Sequence, residues 1–177
     1  MPTLPTAPPQ LFHNRSLPRI ESEEAISGSM SALIRVLELA PSDAPEFIDL
    51  TSRIEAFVTE SGIRGGQLMI HSLHTTAAVV INEREPLLLE DAAEFLDRLA
   101  PRESYYRHDD LSVRTVNMMP DEPANAHSHL QHLMLGGTKM VPVWGGRMVL
   151  GQWQRIFLVE LDGARPRKVM LQLTGVV

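Results

Sequence analysis

The chain has 177 residues, 44% apolar and 21% charged, with a formal net charge of -6, a balance that suits one globular domain and leaves no basic face for nucleic acid. It contains no cysteine, which excludes disulfides, thiolate metal ligands and cysteine nucleophiles. No apolar run approaches the roughly 18 residues that cross a bilayer, and residues 1–15 lack the basic start and apolar stretch of a signal peptide, so no membrane contact and a cytoplasmic location are expected.

Residues 1–27 read as an extended arm outside the domain, because Pro2, Pro5, Pro8, Pro9 and Pro18 oppose both a packed helix and a central strand. The domain is expected over 28–177. Ser31 to Leu39 reads as a strand, followed by turn chemistry from Ala40 to Pro45 and a short strand from Glu46 to Leu50. Ser52 and Glu55 have the spacing of a capping box, Ile54, Phe57 and Val58 share a helical face, and Gly62 stops the helix. A start at Glu46 competes, since Phe47, Leu50 and Ile54 also share a face.

Gln67–Ser72 and Ala77–Asn82 are short Ile- and Val-bearing runs that flank His74-Thr75-Thr76 and read as buried strands. Pro86 opens a helix whose stripe is Leu88, Leu89, Ala92, Phe95, Leu96 and Leu99. Residues 102–122 have no period and read as a functional loop. Pro123 to Leu135 reads as a third helix with Ala126, Leu130 and Leu133 inward. The remainder is β: Lys139–Val143, Arg147–Leu150, Gln154–Leu161 and Lys168–Gly175, with turns at Gly145-Gly146 and Asp162-Gly163. This order lacks regular βαβ units, so an α+β fold with antiparallel or mixed sheets is expected.

Six of the seven histidines lie between residues 71 and 132. His74, His108 and His129 come from three separate elements, the way a three-imidazole metal shell is built, and their ligand would be a divalent metal such as zinc or magnesium. The same cluster could make ordinary polar contacts at a helix start. Among nearby carboxylates, Glu83 at a strand end is the candidate base, working with His108 and His129 as catalytic groups. The start of the third helix offers free N–H groups suited to phosphate, so the substrate is expected to be a small molecule, phosphorylated or heterocyclic.

Seven segments in order carry a resemblance: His74-Thr75-Thr76-Ala77-Ala78, Ile81-Asn82-Glu83, Tyr106-x-His108-Asp109, Asn125-Ala126-His127-Ser128-His129-Leu130, Leu135-Gly136, Val141-Pro142 and Gly151-Gln152-Trp153-Gln154-Arg155. Together they resemble the YjbQ-like family, often named secondary thiamine-phosphate synthase, over about residues 30–177. The resemblance implies an α+β domain of mostly antiparallel sheets in a sandwich-like arrangement, with two or three helices, assembled as a homotrimer. It implies a pocket near the subunit interface, with Asn82, Asn125, His127, Trp153 and Gln154 touching substrate. Its named activity joins a pyrimidine diphosphate to a thiazole phosphate, with loss of pyrophosphate. Gln152 stands where members often have Thr, and many members lack the histidine matching His127, which ranks His129 above it. A non-catalytic trimer that binds a small ligand or a metal is the competing expectation.

Overall fold

The computed structural model describes residues 23–119 and 121–177, so residues 1–22 of the arm expected over 1–27 lie outside the described residues. Eight strands and three helices follow in the order β1 (Met30–Leu39), β2 (Glu46–Asp49), α1 (Thr51–Ser61), β3 (Gly65–Ser72), β4 (Ala77–Glu83), α2 (Pro86–Leu99), α3 (Ala126–Leu135), β5 (Thr138–Trp144), β6 (Arg147–Met148), β7 (Gln154–Glu160) and β8 (Arg167–Val176). They form a five-stranded sheet, β1-β8-β3-β5-β6, and a three-stranded sheet, β2-β7-β4. Every pairing is antiparallel. The α+β fold with antiparallel sheets and three helices is therefore the one the pattern predicts.

The three-stranded sheet is the middle layer. On one face Ile156 and Leu158 of β7 join Leu68, Ile70, Val169 and Leu171 of the large sheet and Ile54 and Phe57 of α1. On the other, Phe157 and Val159 pack with Leu96 of α2 and Leu161. Successive side chains of a strand point to opposite faces, so β7 is covered on both and reads as an unbroken apolar run. Truncating a core side chain such as Leu171 costs about 2–5 kcal/mol in comparable cores.

Two local expectations change. The Ser52–Glu55 capping box does not form: α1 begins at Thr51, with Leu50 in the cap position and no side-chain cap. Asp49 Oδ1 instead accepts the Thr51 N–H at 2.9 Å, and Thr51 Oγ1 accepts the Ile156 N–H at 2.9 Å. The helix start is tied to β7, so tertiary bonding wins over the local motif.

Helix α3 is the larger correction. It starts at Ala126 rather than Pro123, and Leu130 and Leu133, expected inward, are 44% and 76% exposed. His127, Ser128 and Gln131 face inward with Ala126. Ser128 Oγ donates to Leu161 O at 2.7 Å, and Gln131 Nε2 donates to Leu96 O and Ala100 O at 3.0 and 3.2 Å. Leu96 O already accepts the Ala100 N–H at 3.1 Å, but Ala100 O, past the last turn of α2, has no partner within the helix, and the polar face of α3 bonds to both. Hydrogen-bond demand, not hydrophobicity, sets the orientation.

Residues 23–29 have no regular structure but lie on the large sheet. Ile26 rests over Gly65, where any Cβ would collide with it, and Arg64 Nη2 donates to Ser27 O at 3.1 Å. Among the described residues no helix is long and apolar enough to cross a membrane.

Candidate active site

Three connections meet at one end of the middle sheet: the β3–β4 turn, the start of α3 and the loop from β7 to β8. Between them lies a cavity of about 540 Å³, walled by His74, Thr75 and Thr76, by Glu122, Asn125 and His129, and by Arg165 and Arg167. A second cavity of about 610 Å³, formed by the 107–117 stretch, shares Glu122 and His129 with the first. His129 and Glu122 therefore stand on the wall between the two spaces.

His74 is half-buried, and its Nε2 accepts the Lys168 main-chain N–H at 2.8 Å. An amide N–H can only donate, so the neutral ring carries its proton on Nδ1. Burial, helped by Arg167, pushes its pKa below the usual 6.5. His129 is lowered too, by burial first and then by His108, with Glu122 opposing. The His108 and His129 rings meet edge to face with centroids 4.9 Å apart. Both cavity imidazoles are therefore mainly neutral near pH 7; His129 is the one suited to accept a proton, since the His74 lone pair is already bonded to the Lys168 N–H.

The acidic and basic groups are tightly paired. Arg167 forms a bidentate ion pair with Glu160, whose side chain is fully buried and also accepts the N–H groups of Asp162 and Gly163. Arg165 contacts Asp162. Asn125 Nδ2 donates to Asp162 Oδ2 at 3.2 Å, which fixes the amide and leaves the buried Oδ1 without a partner among the described residues. Glu122 accepts from Arg114 at 3.0 Å, and that bond holds its carboxyl below the ordinary range.

The start of α3 is not a vacant phosphate site. Asp109 Oδ1 accepts the N–H groups of Asn125 and Ala126, both at 3.0 Å, so the chain's own carboxylate already occupies the helix end. His127 lies in the interior, 2% exposed, rather than on either cavity wall. Ser128 spends its proton on Leu161 O, so His127 Nε2–H donates to Ser128 Oγ at 3.0 Å and Nδ1 is left bare. Burial, then Arg102, lowers its pKa.

The donor set does not fit a metal held by His74, His108 and His129 of one chain. Among the described residues no three His, Asp or Glu side chains converge as ligands. The Nε2 lone pair of His74 faces the Lys168 N–H, and that of His108 faces Arg114 Nη1 at 3.3 Å.

Asn82, Glu83, Trp153 and Gln154 sit elsewhere. Asn82 pairs with Arg155 and Glu83 with Gln154 at the far end of the β4–β7 ladder, about 20 Å from Ala77 at some 3.3 Å per residue. Gln154 Oε1 accepts the Gly151 N–H at 2.7 Å and closes a turn, and Trp153 is 63% exposed. The residues that sequence reasoning passed over are Glu160, Arg165 and Arg167, whereas Glu122 is one of the nearby carboxylates ranked below Glu83. Glu160 had left a signal: a carboxylate inside the apolar run Ile156–Leu161 has to find a partner.

The sequence and the fold are shared with known proteins. The family described as UPF0047 protein YjbQ-like matches residues 35–176. The chain belongs to that family. A UPF0047 protein of Methanothermobacter thermautotrophicus is 38% identical over 146 residues, covering 82% of this chain and 94% of that one. One of Archaeoglobus fulgidus is 39% identical over 136 residues, covering 77% and 97%. The crystal structure of a YbjQ-like protein of unknown function from Sulfolobus solfataricus superposes with a TM-score of 0.75 at 32% identity, covering 83% of this chain and 99% of that one. The YjbQ-like match begins at residue 35, so the N-terminal segment lies outside it.

Proposed function

We propose that the cavity between His74 and His129 is the active site of a small-molecule enzyme that works by general base catalysis. One observation carries this reading: two imidazoles from different elements line one space of about 540 Å³, both kept neutral by burial. His129 can take a proton from a bound substrate and return it without a metal, whereas His74, its Nε2 held by the Lys168 N–H, presents only its Nδ1–H as a donor. The exposed side of Arg165 adds a cation to the space.

The activity implied by the family resemblance supplies the first substrates to try. In that reaction the lone pair of the thiazole nitrogen forms a C–N bond as the C–O bond to the diphosphate breaks, and pyrophosphate leaves with the electron pair. Arg165 is the exposed cation of the cavity that a departing diphosphate would meet. The test incubates purified protein with the pyrimidine diphosphate and the thiazole phosphate and follows pyrophosphate release. His129→Ala, which removes the cavity imidazole with a free lone pair, is expected to lower kcat/KM more than His74→Ala, whose ring can only donate to a bound substrate. Wild-type rates in both variants would overturn the reading, and binding without turnover would favour a ligand-binding protein.

A homotrimer is proposed alongside. Leu133 and Met134 on α3, and Ile34, Val36 and Met140 on the outer face of the large sheet, are apolar and at least 48% exposed, surface that neighbouring copies would cover. Light scattering at three times 19.7 kDa supports it, and a single-chain mass overturns it.

A further inference from the structure

The loop between α2 and α3 is organised around one side chain. Arg114 is only 11% exposed. Its Nε donates to Val116 O at 3.2 Å, its Nη2 to Asn117 O at 2.5 Å, and its Nη1 to His108 O at 3.2 Å. Nη1 also lies 3.3 Å from His108 Nε2 and 3.0 Å from Glu122 Oε1. Asn117 has φ 53°, the left-handed conformation that asparagine tolerates better than most residues. One guanidinium thus gathers three main-chain carbonyls, an imidazole nitrogen and a carboxylate oxygen, the kinds of donor that would otherwise collect around a cation.

We infer that Arg114 is the positioning residue of the site, a built-in cation that locks His108 with its proton on Nδ1 and holds His108 and Glu122 against His129. A guanidinium has only donors, so a hydrogen bond to His108 Nε2, in which the two Nη1 hydrogens are shared among His108 Nε2, His108 O and Glu122 Oε1, places a lone pair there. That assignment also explains the 3.8 Å separation of His108 Nε2 and Glu122 Oε1, which is not a hydrogen bond: both atoms accept from Arg114. A lysine would offer one point charge and could not reach carbonyls on both flanks of the loop with a planar fork. Because most of its N–H groups are engaged inside the loop, Arg114 acts through its neighbours and not by holding substrate. The inference rests on the reading of His129 as an active-site residue for its purpose, but its geometry is tested without any substrate.

Nitrogen-15 NMR of the histidine rings in full-length protein, at a pH where His108 is neutral, reads the tautomer directly. The wild type is expected to show His108 with Nδ1 protonated. Arg114→Ala is expected to lose that assignment and to shift the His129 ring signals, and millimolar guanidinium ion, but not ammonium, is expected to restore both. Arg114→Lys is expected to restore neither fully. A wild-type His108 protonated on Nε2 overturns the inference even if every variant fails to fold. Variants that leave the His108 and His129 signals unchanged overturn it as well. Either result leaves the assay of His74 and His129 standing, whereas loss of the wild-type reaction alone would leave the Arg114 geometry intact.

Discussion

The β4–β7 ladder carries site-like residues at both of its ends, and the two ends differ in physics. At the Ala77–Glu160 end, a turn, a helix and two loops distant in sequence converge on a cavity, and their charged groups are buried in pairs. At the Glu83–Gln154 end, the polar residues bond to near neighbours, such as Gln154 to Gly151, and Trp153 faces outward. Similar residue types occur at both ends. Convergence of several elements on half-buried imidazoles is what changes a pKa and fixes a tautomer; at the second end α1 and the residues before β7 also enclose a cavity, of about 370 Å³, but among the described residues no histidine lines it.

The comparison breaks most visibly through Arg167. Arg167→Ala would leave the fully buried Glu160 carboxylate unpaired and should lower stability by about 3–5 kcal/mol, read by urea unfolding. A loss under about 1 kcal/mol would mean that the pair is wetter than its burial suggests. Acid sharpens the comparison next. His74, His127, His129 and His132 have folded pKa values below 6.5, with burial the first cause of each. The unfolded chain therefore binds more protons just below pH 6.5, so stability is complete above that value and falls as pH drops through the depressed folded pKa values. The urea midpoint should drop between about pH 7.5 and 5, and His127→Gln, which removes the most enclosed ring, should flatten the slope. An unchanged slope would count against burial as the cause. The smallest effects belong to the other end. Glu83→Gln and Trp153→Ala should each change stability by no more than about 0.5 kcal/mol and leave turnover near wild type. If either loses turnover as His129→Ala does, the active site spans both ends, and the contrast drawn here fails.

Periodicity and turn chemistry located every strand and helix, because β1, β3, β5 and β8 have one face on a shared apolar core and α2 has both a proline start and an apolar stripe. The inward face of α3 was not legible: Leu130 and Leu133 mark the apolar side, whereas the helix turns His127, Ser128 and Gln131 inward to serve carbonyls 31 to 35 positions away in the chain. A similar limit applied to the site. His74, Asn125 and His129 could be named from spacing and resemblance, and they do share one cavity. Glu83 could not be separated from them, because strand-end position says nothing about which end of a ladder the other groups choose. Arg165, Arg167 and Arg114 matter through pairings that only the fold creates.

The large sheet has an order of assembly written into it. β8 lies between β1 and β3 and supplies ladder partners to both, from Met30–Val176 and Gly65–Val176 to Leu39–Arg167 and Ser72–Val169. On the ribosome, β1 is made first and β3 soon after, yet neither can close its hydrogen bonds to the strand between them until residues 167–176 emerge. Nearly all of the chain must therefore wait, with strand edges unpaired, for contacts of high sequence separation. A nascent chain of this protein is more exposed to aggregation than its finished form, and its last strand is the one that ends that exposure.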